Sequence, residues 1–256
     1  MRKNLTKEKL KRGEPAIGTW MGLSDSLSAE VLANMGFDWL TIDMEHNPID
    51  FGDLLHILQA ISSTNTTPFV RVPWNDPQAI KRVLDCTAYG IVVPNVKNGE
   101  EAKRAVGACR YPPVGYRGVG GARHRIYGGP DYMEKANDEI SVHLMIEDVE
   151  AVKRADEIMS VPGVDAIFIG PNDLAYSMGV PGGYDNKHPD HMAACKHVLT
   201  TGKRLGVPVG IHCSGPEEIN RRIEEGYLWM PMISDIRFLQ AAVQDALKKI
   251  KLPVKK

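Results

Sequence analysis

The chain has 256 residues, 43 % of them apolar and 25 % charged, with a formal net charge of -1. This is the make-up of an ordinary soluble globular protein, and the balanced charge leaves no electrostatic footprint for nucleic acid or an anionic membrane. No apolar run nears the ~20 residues of a membrane span.

The basic ends, "MRKNLTKEKLKR" and "LKKIKLPVKK", read as solvated termini, and the N-terminus lacks the apolar stretch of a secretory signal. Four scattered cysteines (Cys86, Cys109, Cys195, Cys213) form no C-x-x-C pair. That argues against a disulfide framework or a zinc site and fits a reducing cytoplasm.

From the N-terminus, short apolar runs recur, each followed by turn residues and a helix-period stretch. "AIGTWMGL" (16–23) leads into "SAEVLANMG". "DWLTIDME" (38–45) puts Asp43, Glu45 and His46 at its tip and stops at Pro48, before "FGDLLHILQAI". "TPFVRVP" (67–73) carries Arg71 between apolar neighbours and precedes "DPQAIKRVLDC"; "GIVVPNV" (90–96) carries Asn95 and precedes "GEEAKRAVGACR".

A long connection, 111–130, follows. Its "GYRGVGG" lacks both the G-x-G-x-x-G spacing and the G-K-[ST] ending of nucleotide loops. It reads as a mobile lid that brings Arg117, Arg123 or Arg125 near a substrate anion. "SVHLMIE" (141–147) ends in Glu147 and precedes "DVEAVKRADEIM". "VDAIFIG" (164–170) runs into the turn Gly170-Pro171-Asn172-Asp173 and a second long connection, 173–189, whose "HPDH" has no metal-ligand context. "VPVGIHC" (207–213), "GPEEINRRIEEG" and "YLWMPMI" (227–233) complete the pattern.

Eight strand candidates alternating with helices, each continuously apolar, predict a parallel sheet covered on both faces. The count and length suit an α/β (β/α)8 barrel occupying 1–256 as a single domain; a doubly wound open sheet is the rival. In a barrel the working face lies at the C-terminal strand ends, where Asp43, Glu45, His46, Arg71, Asn95, Glu147, Asp173 and His212 gather.

Glu147 and Asp173 follow consecutive strands, which lie about 4.8 Å apart, so both carboxylates can converge on a hard divalent cation such as Mg2+ or Mn2+. Equally, each acid can cap the following helix. The Gly-Pro turn opens a helix whose free N–H groups suit a carboxylate or phosphate. Arg71 needs an anionic partner, either substrate or a structural ion pair. His46 is a candidate general acid or base, or simply a satisfied polar residue. His212 and Cys213 read as lining residues.

Together these stretches resemble the HpcH/HpaI aldolase family, the metal-dependent pyruvate aldolases. The similarity runs through "GFDWLTIDMEH" (36–46), "FVRVPWNDP" (69–77), "IKRVLDCTAYGIVVPNV" (80–96), "CRYPPVGYRGVG" (109–120), "LMIE" (144–147) and "GVDAIFIGPNDL" (163–174). It implies Glu147 and Asp173 as ligands of Mg2+, Mn2+ or Co2+. It implies Arg71 on the pyruvate keto or enolate oxygen, the backbone of the Gly170–Asp173 turn on its carboxylate, and His46 as an acid/base residue oriented by Asp85. It also implies a hexamer. Ala175-Tyr176 and "RHRIYGGPDY" (123–132) depart from familiar members, so 123–132 and 175–180 are the segments expected to wall the aldehyde.

The expected activity is reversible cleavage of a 4-hydroxy-2-oxo acid to pyruvate, or a similar 2-oxo acid, and an aldehyde. The rivals are decarboxylation of oxaloacetate or another β-oxo acid at the same site, and a non-catalytic barrel that has kept the pocket.

Overall fold

The computed structural model describes residues 1–251; residues 252–256, the end of the basic C-terminal run, lie outside the described residues. Eight strands follow in order: β1 (Ala16–Met21), β2 (Trp39–Asp43), β3 (Thr67–Arg71), β4 (Gly90–Val93), β5 (Ser141–Ile146), β6 (Ala166–Ile169), β7 (Val209–Ile211) and β8 (Trp229–Ser234). Each pairs in parallel with the next, and β8 returns to β1, closing the barrel. An open sheet is thereby ruled out. Strands β2 to β7 are buried at every position, which is why their sequences read as unbroken apolar runs.

Large rings fill the barrel. Trp39 stacks on Trp229 with centroids 4.1 Å apart, and Phe69 lies 4.7 Å from the ring of His143. Burial pushes His143 down to about 3, so a neutral imidazole sits in this core. Neighbouring strands make room with glycine: a Cβ on Gly90 would stand 2.0 Å from the Phe69 ring, and one on Gly18 would stand 2.2 Å from Trp39. The ring cannot retreat in a close-packed interior, so Gly90→Ala is expected to cost at least about 1–3 kcal/mol. A urea titration checks it; an unchanged midpoint would show that the barrel relaxes more easily than this packing implies.

Short polar side chains set the helix starts. Asp25, Asp50, Asp76 and Asn98 each accept a backbone N–H from the first turn of the helix they precede.

The two long connections lie at opposite ends of the barrel. Residues 111–130 follow the helix Gly99–Cys109 and lead, through the helix Tyr132–Glu139, into β5. A helix-to-strand connection runs past strand N-termini, away from the working face. The segment itself contains a helix, Arg123–Gly128. The expectation of a lid over the chain's own site is therefore corrected. Arg117 is buried, donating to Asp85 Oδ1 at 2.9 Å and Tyr132 Oη at 3.1 Å, and Arg123 donates to the Cys86 carbonyl. The other connection begins as the helix Pro171–Ser177 and continues as a loop, 178–188, on the C-terminal face.

The final helix, Asp235–Lys249, is loosely engaged. Its Leu239, Val243 and Leu247 are 57 %, 48 % and 59 % exposed. Spaced by four, they form one uncovered apolar stripe. Among the described residues, no helix is long and apolar enough to cross a membrane.

Candidate active site

Asp43 and Arg71 are the last residues of β2 and β3, and they are register partners. Their side chains thus leave the same side of the sheet and meet. Arg71 Nε and Nη2 donate to the two Asp43 carboxylate oxygens, each at 2.8 Å, and Asn47 Nδ2 donates to Oδ2 at 2.6 Å. Burial raises the Asp43 carboxyl, but these charge-assisted bonds outweigh it and hold the group below its usual range. The guanidinium also lies over the Trp20 ring, 4.6 Å from its centroid.

Glu45 lies in the turn that follows β2, its N–H donating to Asp43 Oδ1 at 3.1 Å. Its Oε2 is 3.1 Å from Arg71 Nη1, yet that buried oxygen receives no well-aligned hydrogen bond. Burial, together with the charges of Asp43 and Asp173, pushes Glu45 up to about 7 against the pull of Arg71. Glu147 follows β5 directly. Burial, with Asp173 and Glu45, also pushes it up to about 7, although the Asn95 N–H donates to its Oε1 at 2.7 Å. Asn95 presents that N–H from a left-handed conformation, φ 54°, which asparagine tolerates.

Gly170 permits this arrangement. A Cβ there would lie 2.6 Å from Glu147 Oε2. No side chain caps the helix that starts at Pro171, so the N–H groups of its first turn stay available. Asp173 lies in this turn and does not act as the cap. Asp148, by contrast, does cap its helix, accepting from the Glu150 N–H at 2.8 Å. His191 Nε2 braces the turn from behind, 2.9 Å from the Pro171 carbonyl.

A cavity of about 340 Å3 is lined by Asp43, His46, Arg71, Gly170, Pro171, Asn172 and Asp173, with Trp20, Phe168, Tyr184 and His212 as its aromatic wall; Glu45 and Glu147 are not among its lining residues. Glu45, Glu147 and Asp173 act on one another electrostatically, and the nearby Arg71 is committed to Asp43. Glu147 is buried and Glu45 partly buried, both are pushed up to about 7, and one Glu45 oxygen lacks an aligned partner. Among the described residues no three His, Cys, Asp or Glu converge as a metal cage, so a cation here would rest on two carboxylates with substrate or water, in a site short of positive charge. A divalent cation fits that deficit. Arg71 has five N–H donors and retains some for a cavity oxygen.

His46 is exposed at the rim, with Nε2 3.6 Å from Glu45 Oε2. Asp85 ends the helix Pro77–Asp85, near the N-terminal edge of β4, where Arg117 takes its carboxylate. His46 follows the C-terminal end of β2, so the barrel wall separates the two within one chain. Glu45 as a partner of Arg71, the Asn95 N–H, and the Tyr184–His212 contact are features the sequence reading missed. Glu45 lies in the turn beyond β2, where strand parity gives no signal. The segment 123–132 is absent from this chain's cavity, and of 175–180 no residue lines it.

The model of the HpcH/HpaI aldolase/citrate lyase family matches residues 16–236. The chain is 42 % identical to the 2-dehydro-3,6-dideoxy-6-sulfogluconate aldolase of Pseudomonas putida, over 94 % of this chain and 95 % of the relative. It is 43 % identical to the 4-hydroxy-2-oxo-heptane-1,7-dioate aldolase of Shigella sonnei (strain Ss046), over 94 % and 92 %. Among solved structures it resembles an HpcH/HpaI aldolase/citrate lyase family protein from Burkholderia cenocepacia J2315. The TM-score is 0.91, at 37 % identity, over 96 % of this chain and 98 % of that one.

Proposed function

The chain belongs to the HpcH/HpaI aldolase/citrate lyase family and is a carbon–carbon lyase of the aldolase kind; from that premise we propose how its residues cleave a 4-hydroxy-2-oxo acid into a 2-oxo acid, pyruvate or a close relative, and an aldehyde. The observation that supports this reading is Arg71, paired with Asp43 and close to Glu45, in one cavity with Asp173 and an uncapped helix start, with Glu147 at the end of β5.

Glu147 and Asp173 would hold the divalent cation, Mg2+, Mn2+ or Co2+. When bound, it supplies Lewis-acid polarisation of the keto group. The backbone of the Gly170–Asp173 turn receives the substrate carboxylate. Arg71 directs its remaining N–H donors at the keto oxygen, which carries the charge once the enolate forms. His46, acting through water, takes the proton of the 4-hydroxyl as the C3–C4 bond breaks and the aldehyde departs. A proton then returns to C3 to give the methyl group of pyruvate.

Because one chain holds Asp85 away from His46, their pairing requires a second copy that brings its Asp85 to the rim. The uncovered stripe Leu239, Val243 and Leu247 supports a homo-oligomer; the hexameric number rests on family resemblance. We place the enzyme in the cytoplasm, a reading supported by its free cysteines. Among the described residues that line the cavity there is no lysine, which favours the metal route over a Schiff base.

The test is exchange of pyruvate methyl protons into heavy water, followed by NMR. Exchange is expected with Mn2+, to stop on exhaustive chelation, and to return when Mn2+ is restored. Exchange that survives chelation but dies on borohydride treatment would sink the metal mechanism.

A further inference from the structure

Of the two acids read as cation ligands, Asp173 has the weaker hold on its own position. Glu147 is buried and takes the Asn95 N–H. Asp173 is exposed, and among the described residues its carboxylate takes part in no hydrogen bond or ion pair. Where that carboxylate points is therefore set by the backbone turn Gly170–Asp173 that carries it.

The turn is tied from several directions. Leu174 N donates to the Gly170 carbonyl at 3.0 Å, and Gly183 N donates to Asn172 Oδ1 at 2.8 Å. The tie from the interior is His191, in the first turn of the helix Pro189–Leu205, whose Nε2 lies 2.9 Å from the Pro171 carbonyl. The proline ring locks φ at Pro171, and the peptide plane between Pro171 and Asn172 is rigid. Holding that plane by its carbonyl leaves little freedom ahead of Asp173.

His191 is built for one orientation. A carbonyl oxygen only accepts, so the nitrogen facing it carries the hydrogen. The other nitrogen, Nδ1, lies 3.8 Å from Cys195 Sγ, one helical turn along. Burial pushes the Cys195 thiol up to about 12, so an S–H faces Nδ1, and burial lowers His191 itself. The ring is neutral, with its tautomer favoured from both sides. It is 2 % exposed and all these partners belong to one chain, so the bond is complete before any second copy arrives.

We propose that His191 is a positioning residue for the cation site: by holding the Pro171 carbonyl it fixes the turn that carries Asp173, and so sets the affinity for the divalent cation without touching it. The inference rests on the metal-dependent reading above. Groups one step removed from a metal ligand commonly matter about 10–100-fold in affinity; acting through backbone, His191 belongs at the lower end.

The experiment is a calorimetric Mn2+ titration of the native enzyme and of Asp173→Asn, His191→Leu and His191→Gln, with pyruvate proton exchange followed across Mn2+ concentrations. Leucine fills similar space without a donor, whereas the glutamine amide restores an N–H. His191→Leu is expected to weaken Mn2+ about tenfold, and His191→Gln to stay within about threefold of native. At saturating Mn2+ the exchange rate of His191→Leu should return to within about threefold of native, because the bound cation then holds Asp173 itself. Should the leucine variant not fold, His191→Met, with its adaptable side chain, gives the same reading. A His191→Leu enzyme that melts lower yet binds Mn2+ as tightly as native overturns the proposal. So does a His191→Gln enzyme that binds as weakly as His191→Leu, which would show that the bulk of the ring matters and its N–H does not. Mn2+ affinity lost in Asp173→Asn but kept in His191→Leu sinks this inference alone. Affinity that survives Asp173→Asn sinks the metal reading and this inference with it.

Discussion

Glu147→Gln is expected to lower aldol turnover by about a thousandfold or more, roughly 4 kcal/mol of transition-state stabilisation, while leaving the protein folded. The glutamine has the same shape, and its amide oxygen can still accept the Asn95 N–H that Glu147 Oε1 now accepts at 2.7 Å. What disappears is a negative charge. Burial and the neighbouring Asp173 and Glu45 already disfavour that charge, holding the group up to about 7. Removing it relieves repulsion in the empty protein, so the melting temperature should stay level or rise. The same charge is needed to attract and hold a divalent cation, so affinity for Mn2+ should collapse. Calorimetric Mn2+ titration, steady-state kinetics and a melting curve on one sample check all three. Full turnover in a well-folded Glu147→Gln sample would remove the basis of the mechanism.

Arg71→Lys is expected to reduce turnover by about 10²–10³-fold, the usual cost of losing a donor aimed at developing oxyanion charge. A lysine ammonium is a point donor on a flexible stem and cannot reproduce a planar fork. In this site the fork grips both oxygens of Asp43 at 2.8 Å while Nη1 stands 3.1 Å from Glu45. Lysine would keep the charge but aim it at one acid, leaving the keto oxygen without its donor. Lysine is the informative variant because Arg71→Ala confounds two effects. With both side chains of the pair buried, alanine would strand Asp43, a loss on the order of 3–5 kcal/mol of stability. The kinetic signature should fall mainly on kcat, since the donor matters most when charge develops. A loss confined to KM, with kcat retained, would show that Arg71 merely holds the ground-state substrate.

Local pattern carried much of the answer. Each strand candidate became a strand, because a parallel strand covered on both faces must be apolar throughout, and that requirement is visible within a few consecutive residues. Asp25, Asp50, Asp76 and Asn98 cap helix starts for an equally local reason, although the sequence reading did not single them out: a cap bonds to backbone two or three residues away. Asp43 and Arg71 could be placed on the working rim because each ends its strand. The long connection 111–130 was misread as a lid because length and glycine content say nothing about which end of a barrel a segment crosses.

The sequence by itself determined the alternation of strands and helices, the barrel they close into, and the acids, arginine and histidine available at strand ends. Only the tertiary structure decided which of them meet. Asp43 reaches Arg71 across 28 positions, and the Asn95 N–H reaches Glu147 across 52. The seating of Tyr184 on His212 depends on a loop fastened by Asp185 to a later helix. It also decided that Asp85 and His46 stand at opposite ends of one chain. The physical reason is barrel closure: strand ends are local, but the direction in which each side chain points, and the charges it then faces, are fixed only when β8 returns to β1.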